Sequence, residues 1–179
     1  MNTTNMKKKS IALFSILFLC FSSLGQLEKT SKINQLKSQQ LIKDGEDLLD
    51  AGRVKDAYMV FKSAIEKDPN EWEAYFWVAM TELELTNFYA ADENAHKAEL
   101  LISDKKSADL ALLQGQIKHR LGALDEAINY YLKAKEEFGE KNATYYGIPI
   151  YLAQCKFALD QKEKGILNKC IPFSSNVNS

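Results

Sequence analysis

Residues Ser38 to Glu71 read SQQLIKDGEDLLDAGRVKDAYMVFKSAIEKDPNE, and this stretch decides the fold. In its first half Leu41, Ile42, Gly45, Leu48 and Leu49 recur at i, i+1, i+4, i+7 and i+8, one face of a 3.6-period helix. In its second half Ala57, Phe61, Ala64 and Ile65 do the same. Gly52 separates the halves, where one helix must stop and another start. Pro69 follows the second half, where a helix cannot continue. If the two helices fold back antiparallel, the small residues Gly45 and Ala57 meet near the crossing and let the backbones approach. Phe61 and Ala64 then pack toward a following hairpin. A single hairpin cannot bury both faces, so at least about three copies are expected.

Copies follow. Trp72 to about Ser107 places Ala79, Ala91 and Ala98 where the first unit has Gly45, Ala57 and Ala64. Ala108 to about Tyr145 places Gly115, Gly122, Ala127, Tyr131 and Ala134 where the first has Gly45, Gly52, Ala57, Phe61 and Ala64. From Tyr146 a fourth unit supplies Ala153 and Gly165, then runs out. Spacings of 34, 36 and 38 separate Gly45, Ala79, Gly115 and Ala153. The drift falls in the connections around Ser103–Lys106 and Gly139–Asn142.

The pattern Gly45, Ala57, Phe61, Ala64, Pro69 resembles the signature of the tetratricopeptide repeat, a 34-residue helix-turn-helix unit. LLQGQIKHRLGALDEAINYYLKA, Leu112 to Ala134, is as close a match as the first unit. The second unit departs with Ser103 in place of Pro69, and the fourth with Gly165 in place of the alanine. The resemblance covers about Ser38 to Lys169. It implies an all-α, right-handed solenoid of about 3.5 repeats spanning residues 38–170. A polar leader, residues 26–37, precedes it and a loose tail, residues 171–179, follows.

In such a stack one stripe of each first helix lines the concave groove. Here that stripe carries Ile42, Glu46, Leu49 and Asp50, then Phe76, Met80 and Leu83, then Leu112, Gln116, His119 and Arg120, then Ile150, Gln154 and Phe157. The candidate partner-groove residues are Phe76, Met80, Leu83, Leu112, Gln116, His119, Arg120, Gln154 and Phe157. A mostly apolar groove with scattered polar groups suits a peptide or helix. The alternative is that the stripe covers core or is filled by the protein's own C-terminal tail. Chaperone-binding members of the family hold a C-terminal carboxylate with cationic and amide side chains along this stripe. Ile42, Glu46, Met80, Leu112 and Gln116 stand in those places, and none is cationic.

Met1 to Gly25 has the form of an export signal: Lys7, Lys8 and Lys9, then an eleven-residue apolar run from Ile11 to Phe21, then Ser23-Leu24-Gly25 before a cut at Gln26. The run falls short of the ~20 residues of a membrane span. Bulky Leu19 before Cys20 argues against a lipid-attachment site there. The expected address is therefore the periplasm or the exterior, with no integral span in the mature chain; the alternative reading is an uncleaved anchor.

The sequence of 179 residues fits one domain, and its 46% hydrophobic and 26% charged composition is ordinarily globular. Cleavage removes three lysines and no acid, taking the net charge from −1 to −4. A mildly acidic chain has no basic patch of the kind nucleic acid requires. Cys155 and Cys170 invite a disulfide in an exported protein, but at helix ends on opposite extremities of a hairpin they would lie beyond the ~7 Å reach of one.

No catalytic, metal or cofactor pattern emerges. His96 and His119 lie in different units without metal spacing. Glycines occur singly, and no serine sits in a nucleophile-elbow pattern. Asp44, Glu46, Asp47, Asp92 and Glu93 read as solvated faces. Trp72, Tyr75, Phe76 and Trp77 read as packing residues before a ligand surface. Pro149 places the start of the fourth unit's first helix at about Ile148. Asp160-Gln161-Lys162-Glu163 resembles a capping box that opens a final helix of about ten residues, ending before Pro172. The expected function is a non-catalytic scaffold that holds a peptide or partner domain. The alternative is self-association into a homo-oligomer through the incomplete last unit. An enzyme or small-ligand binder has the least support.

Overall fold

The computed structural model describes residues 31–102 and 107–165. They form seven helices: α1 through residues 31–50, α2 Val54–Lys67, α3 Trp72–Glu84, α4 Phe88–Leu101, α5 Ala108–Arg120, α6 Leu124–Tyr145 and α7 Ile148–Glu163. Helices α1–α2, α3–α4 and α5–α6 are antiparallel hairpins, and α7 begins a fourth.

Each hairpin turns in the same way. Gly52 and Gly122 take left-handed backbone at φ 72° and 75°, and Thr86 does so at φ 64°. Arg53 N donates to Leu48 O at 2.8 Å, Asn87 N to Glu82 O at 2.8 Å and Ala123 N to Lys118 O at 3.0 Å. These bonds satisfy carbonyls left over at the helix ends.

The core is three clusters in series. Ile42, Ala57, Phe61 and Ala64 of the first hairpin enclose Ala74 and Val78 of α3. Ala79, Ala91, Ala95 and Ala98 of the second enclose Leu110, Leu113 and Ile117 of α5. Ala111, Ala127, Tyr131 and Ala134 of the third enclose Ile148, Leu152 and Cys155 of α7. Every hairpin is thus completed by the first helix of the next, which is why the unit must repeat. Phe61 and Tyr131 are wholly buried, and burying a phenylalanine contributes about 1.5–3 kcal/mol of transfer free energy. Small residues make room for them: a Cβ on Gly45 would collide with the Phe61 ring, and one on Gly115 with Tyr131.

The face that α3, α5 and α7 turn to the preceding hairpin lies at i, i+4, i+7. It carries Ala74, Val78 and Thr81, then Leu110, Gln114 and Ile117, then Ile148, Leu152 and Cys155, all buried. The matching positions of α1 are Gln40, Asp44 and Asp47, all exposed, with Gln40 Nε2 donating to Asp44 Oδ1 at 2.8 Å. A polar outer face suits a terminal unit. Ser38 is buried, and its hydroxyl donates to Ala64 O at 2.9 Å, tying α1 to α2.

Helix α6 bends at Gly139, where φ 73° and ψ 163° interrupt the helix. The extra residues of the third repeat are housed there, and Phe138 packs on Tyr146 across the bend at 4.6 Å. Helix α7 starts at Ile148 with Pro149 in its first turn, where a missing N–H costs nothing.

Three expectations need correction. Asp160–Glu163 does not open a helix; these residues are the last four of α7, which runs on past the point where the first-helix pattern predicts a stop. Gly165 is not the counterpart of Ala57. At φ 70° it is the turn residue after α7, the role of Gly52 and Gly122. Cys155 is not near a helix end either; it is a free thiol buried in mid-α7. Cys170, the ten-residue final helix, the residue 171–179 tail and the Met1–Gly25 signal lie outside the described residues. Among those described, no helix is long and apolar enough to cross a membrane.

Candidate peptide-binding groove

The first helices α3 and α5 touch directly, beside the contact that α3 makes with α4. The second helices do not close in the same way: an open depression of about 370 Å³, lined by Glu99, Glu126, Asn129, Tyr130 and Lys133, lies between α4 and α6. The stack therefore curves with its first helices inward.

Along that inner side Phe76, Met80 and Leu83 of α3 are half-buried, packed onto the second core cluster with one edge open. Leu112 of α5 is half-buried against the third cluster. Gln116 and His119 are half-buried, and Arg120, Gln154 and Phe157 are exposed. Phe76 is held edge-on by Trp77, 5.2 Å away, and by Trp72, 6.2 Å away. Trp77 itself stacks on Phe61 at 5.6 Å, so the aromatic crowd of α3 is a packing device that also fixes Phe76, one of the candidate groove residues. Ile42 is different: at 5% exposure it belongs to the core and not to the groove lining.

His119 is committed inward as well. Its Nδ1 lies 3.4 Å from the Tyr131 hydroxyl and its ring meets Tyr131 edge-on at 6.2 Å. Burial, with Arg120 beside it, lowers the His119 pKa below 6.5 and favours the neutral ring that can accept from Tyr131. Burial, followed by Cys155 and Tyr151, pushes the Tyr131 hydroxyl well up, so it stays a donor. His96, by contrast, is exposed, with Nδ1 3.8 Å from Glu99 Oε2.

The structure also brings together acids that the sequence pattern did not single out. Partial burial, then the carboxylates of Glu71 and Glu46, raise Glu73 above its ordinary 4.5. Glu46 is on the candidate groove stripe and Glu73 lies in the first turn of α3, so three acids gather at the first-hairpin end of that stripe. On the other side, acids and bases join hairpins. Lys118 Nζ pairs with Asp92 Oδ2 at 2.9 Å and Glu126 Oε2 at 3.0 Å. Burial alone would lower Lys118, but these two carboxylates outweigh it and raise its pKa. Buried Glu82 accepts from Asn94 Nδ2 at 2.8 Å, and it raises the Tyr58 hydroxyl further than burial alone. Asp92, which reads as a solvated acid in sequence, is thus a structural ion-pair partner. No period-based signal reports the Lys118–Asp92 and Glu82–Tyr58 contacts, because those partners lie in different repeats. Among the described residues no group of His, Cys, Asp or Glu is arranged to hold a metal.

Paired antiparallel helices in a curved series, small residues at each crossing and an aromatic wedge at the first and third decide the architecture. The fold is the tetratricopeptide-repeat solenoid. Solved tetratricopeptide-repeat structures superpose on it at low identity. The Yersinia enterocolitica type III secretion chaperone SycD, in complex with a peptide of the translocator YopD, matches at 16% identity and TM-score 0.59, over 67% of this chain and 92% of that one. The first repeat domain of Spaghetti (RPAP3), bound to the HSP90 peptide SRMEEVD, matches at 20% and 0.61, over 70% and 95%. The first repeat domain of human RPAP3 matches at 21% and 0.62, over 73% and 98%. No family model matches the sequence, and no curated protein matches it.

Proposed function

We propose that this chain is a non-catalytic scaffold whose inner groove holds a peptide segment of a partner protein. The observation that carries the proposal is the row of half-buried apolar side chains, Phe76, Met80, Leu83 and Leu112, on neighbouring first helices. Anchoring such side chains leaves open edges that a partner's apolar residues can cover. Two of the similar structures hold peptides, one from a translocator and one from HSP90.

The chemistry of this groove selects a different peptide from the acidic SRMEEVD. Ile42, Glu46, Met80, Leu112 and Gln116 offer no cation to a C-terminal carboxylate. Glu46, Glu71 and Glu73 instead favour a lysine or arginine at the first-hairpin end, beside apolar residues that fill the Phe76–Leu112 stretch. Affinity of Phe76→Ala with Leu112→Ala for such a peptide is the test. Unchanged affinity with intact helicity removes the proposal.

The export signal read in Met1–Gly25 places this scaffold outside the cytoplasm, in the periplasm or beyond. The support is the Lys7–Lys9 start, the short apolar run and the small residues before Gln26. Intact mass of the protein recovered from the native host tests it: a chain beginning at Gln26 is expected, and a full-length cytosolic mass overturns it.

A further inference from the structure

The depression between α4 and α6 has a polar floor that packing does not require. Gln114 of α5 is 3% exposed. It stands at the buried position that Val78 takes in α3 and Leu152 in α7. Apolar residues fill that position in both neighbouring units, so the stack itself does not call for an amide there. Gln114 Nε2 donates to Glu99 Oε2 at 2.9 Å and reaches the Tyr130 hydroxyl at 3.5 Å. Glu99 and Tyr130 both line the depression, so the carboxamide lies against its floor. Gln114 Oε1 is buried and has no hydrogen-bond partner among the described residues. Buried acceptors left unpaired are unfavourable and rare in native interiors.

The charges around this amide are unbalanced as well. Asp92, Glu99 and Glu126 bring three carboxylates, and Lys118 and Lys133 bring two ammonium groups. Lys118 Nζ is held by Asp92 at 2.9 Å and by Glu126 at 3.0 Å. Lys133 Nζ lies 3.5 Å from Glu99 Oε1. One negative charge is left over; His96, 3.8 Å from Glu99 Oε2, offsets it only when protonated. The Tyr130 hydroxyl sits in this field. Burial raises its pKa first, Glu99, Asp92 and Glu126 raise it further, and Lys118 alone opposes them.

An unpaired acceptor and an uncompensated carboxylate call for the same thing, a cation that carries N–H donors. Among the described residues no acids are grouped to hold a metal ion, so the cation is organic. The volume of about 370 Å³ admits a small molecule. A guanidinium suits the lining better than an ammonium. Its planar fork pairs with carboxylates, and its flat face stacks on an aromatic ring such as Tyr130.

We infer that the depression between α4 and α6 binds a small guanidinium compound through Glu99, Glu126, Tyr130 and Gln114. The guanidinium donates to Glu99 Oε2 in place of Gln114 Nε2, and the freed carboxamide turns Oε1 toward it. This site goes beyond the peptide-binding proposal and does not depend on it, because it lies on the outer side of α5.

The probe is ethylguanidinium, added to the full chain at constant ionic strength and about pH 7.5, where an ordinary imidazole is neutral. The side-chain amide signals of Gln114 are followed by nitrogen–proton correlation NMR. They should shift saturably, with a millimolar or tighter Kd. Ethylurea, a neutral molecule of the same shape, should shift them far less. Glu99→Gln should weaken the probe at least about threefold, and Glu73→Gln, at the distant acidic end of the stripe, should leave it unchanged. Gln114→Leu should keep or raise Tm while weakening the probe, now read at Tyr130 and Asn129. Should that variant fail to fold, Glu99→Gln decides alone. The inference is overturned by the absence of a saturable shift, by equal shifts from ethylurea, or by affinity that survives Glu99→Gln or falls on Glu73→Gln. A capped Gly-Arg-Gly peptide that binds more tightly than ethylguanidinium also overturns it, by making the ligand a protein side chain.

Discussion

The ring of Tyr131 occupies the space that a side chain on Gly115 would need: a Cβ there would stand 2.6 Å from Tyr131 Cδ1. Tyr131 in turn stacks on Tyr151 of α7 at 5.2 Å, so one contact between α5 and α6 also sets where the next unit begins. Gly115→Ala gains helix propensity of up to about 1 kcal/mol but overpacks a filled site, which costs about 1–3 kcal/mol. A net loss of stability is expected by urea unfolding. A neutral result would mean that the ring moves aside freely.

Thr86 presents the opposite case. It is a β-branched residue held at φ 64°, where its counterparts are Gly52 and Gly122. The left-handed region costs a non-glycine residue about 1–2 kcal/mol. Glycine also gives up about 0.5–1 kcal/mol of chain entropy on folding. Thr86→Gly is therefore expected to stabilise by about 0.5–1 kcal/mol, read as a rise in Tm. Equal or lower Tm would show that the turn is not strained.

The His119–Tyr131 contact should make folding sensitive to acid. His119 has a folded pKa below 6.5, so the unfolded chain takes up the proton first. Its contribution is present above pH ~6.5 and lost as pH falls through the folded value. His119→Ala leaves the buried Tyr131 hydroxyl without this partner and should cost about 1 kcal/mol at neutral pH. It should also remove this component of the acid sensitivity. An unchanged pH profile of the melting temperature would argue against the contact.

Glu73 gives the reverse sign. Its folded pKa is raised, so ionisation weakens folding as pH rises above the ordinary 4.5. Glu73→Gln should raise the melting temperature at neutral pH and leave it unchanged in acid. The same change should weaken a lysine- or arginine-bearing groove peptide by about 2- to 5-fold, the size of a rim ion pair. With Glu73 intact, that peptide should bind less tightly as pH falls and the carboxylate is lost. Titration calorimetry across that range, with both proteins, checks both signs.

Much of this architecture is legible in the sequence because packing repeats. Gly45, Ala79 and Gly115 mark three crossings, and Gly139 marks the connection where the spacing lengthens. The second unit's turn is harder to see, since Thr86 takes a glycine's conformation without being one. The polar outer face of α1, Gln40, Asp44 and Asp47 against Ala74, Val78 and Thr81, is present in the sequence but shows only when the units are superposed. The length of α7 is not legible: Asp160 and Glu163 have capping spacing, yet they continue a helix already running. For the candidate groove, the stripe from Phe76 to Leu112 is legible only through the resemblance to the repeat family, which says which side of each first helix faces inward. That Ile42 sinks into the core and that His119 binds Tyr131 depend on neighbours in other helices. The acidic end built by Glu46, Glu71 and Glu73 joins two repeats, so no single unit displays it.

The central claim is that the inner face of the first helices is the binding surface. The direct measurement selects peptides from a random library against the full chain. Their affinities are then compared, by the fluorescence of Trp72 and Trp77 beside Phe76, for the unaltered protein and for Phe76→Ala with Leu112→Ala. The selected peptides should pair apolar residues with a lysine or arginine, and they should bind the double variant at least about tenfold more weakly at unchanged helicity. Peptides that bind both proteins equally, and that are lost instead on Tyr89→Ala with Leu100→Ala at the exposed face of α4, would contradict the account.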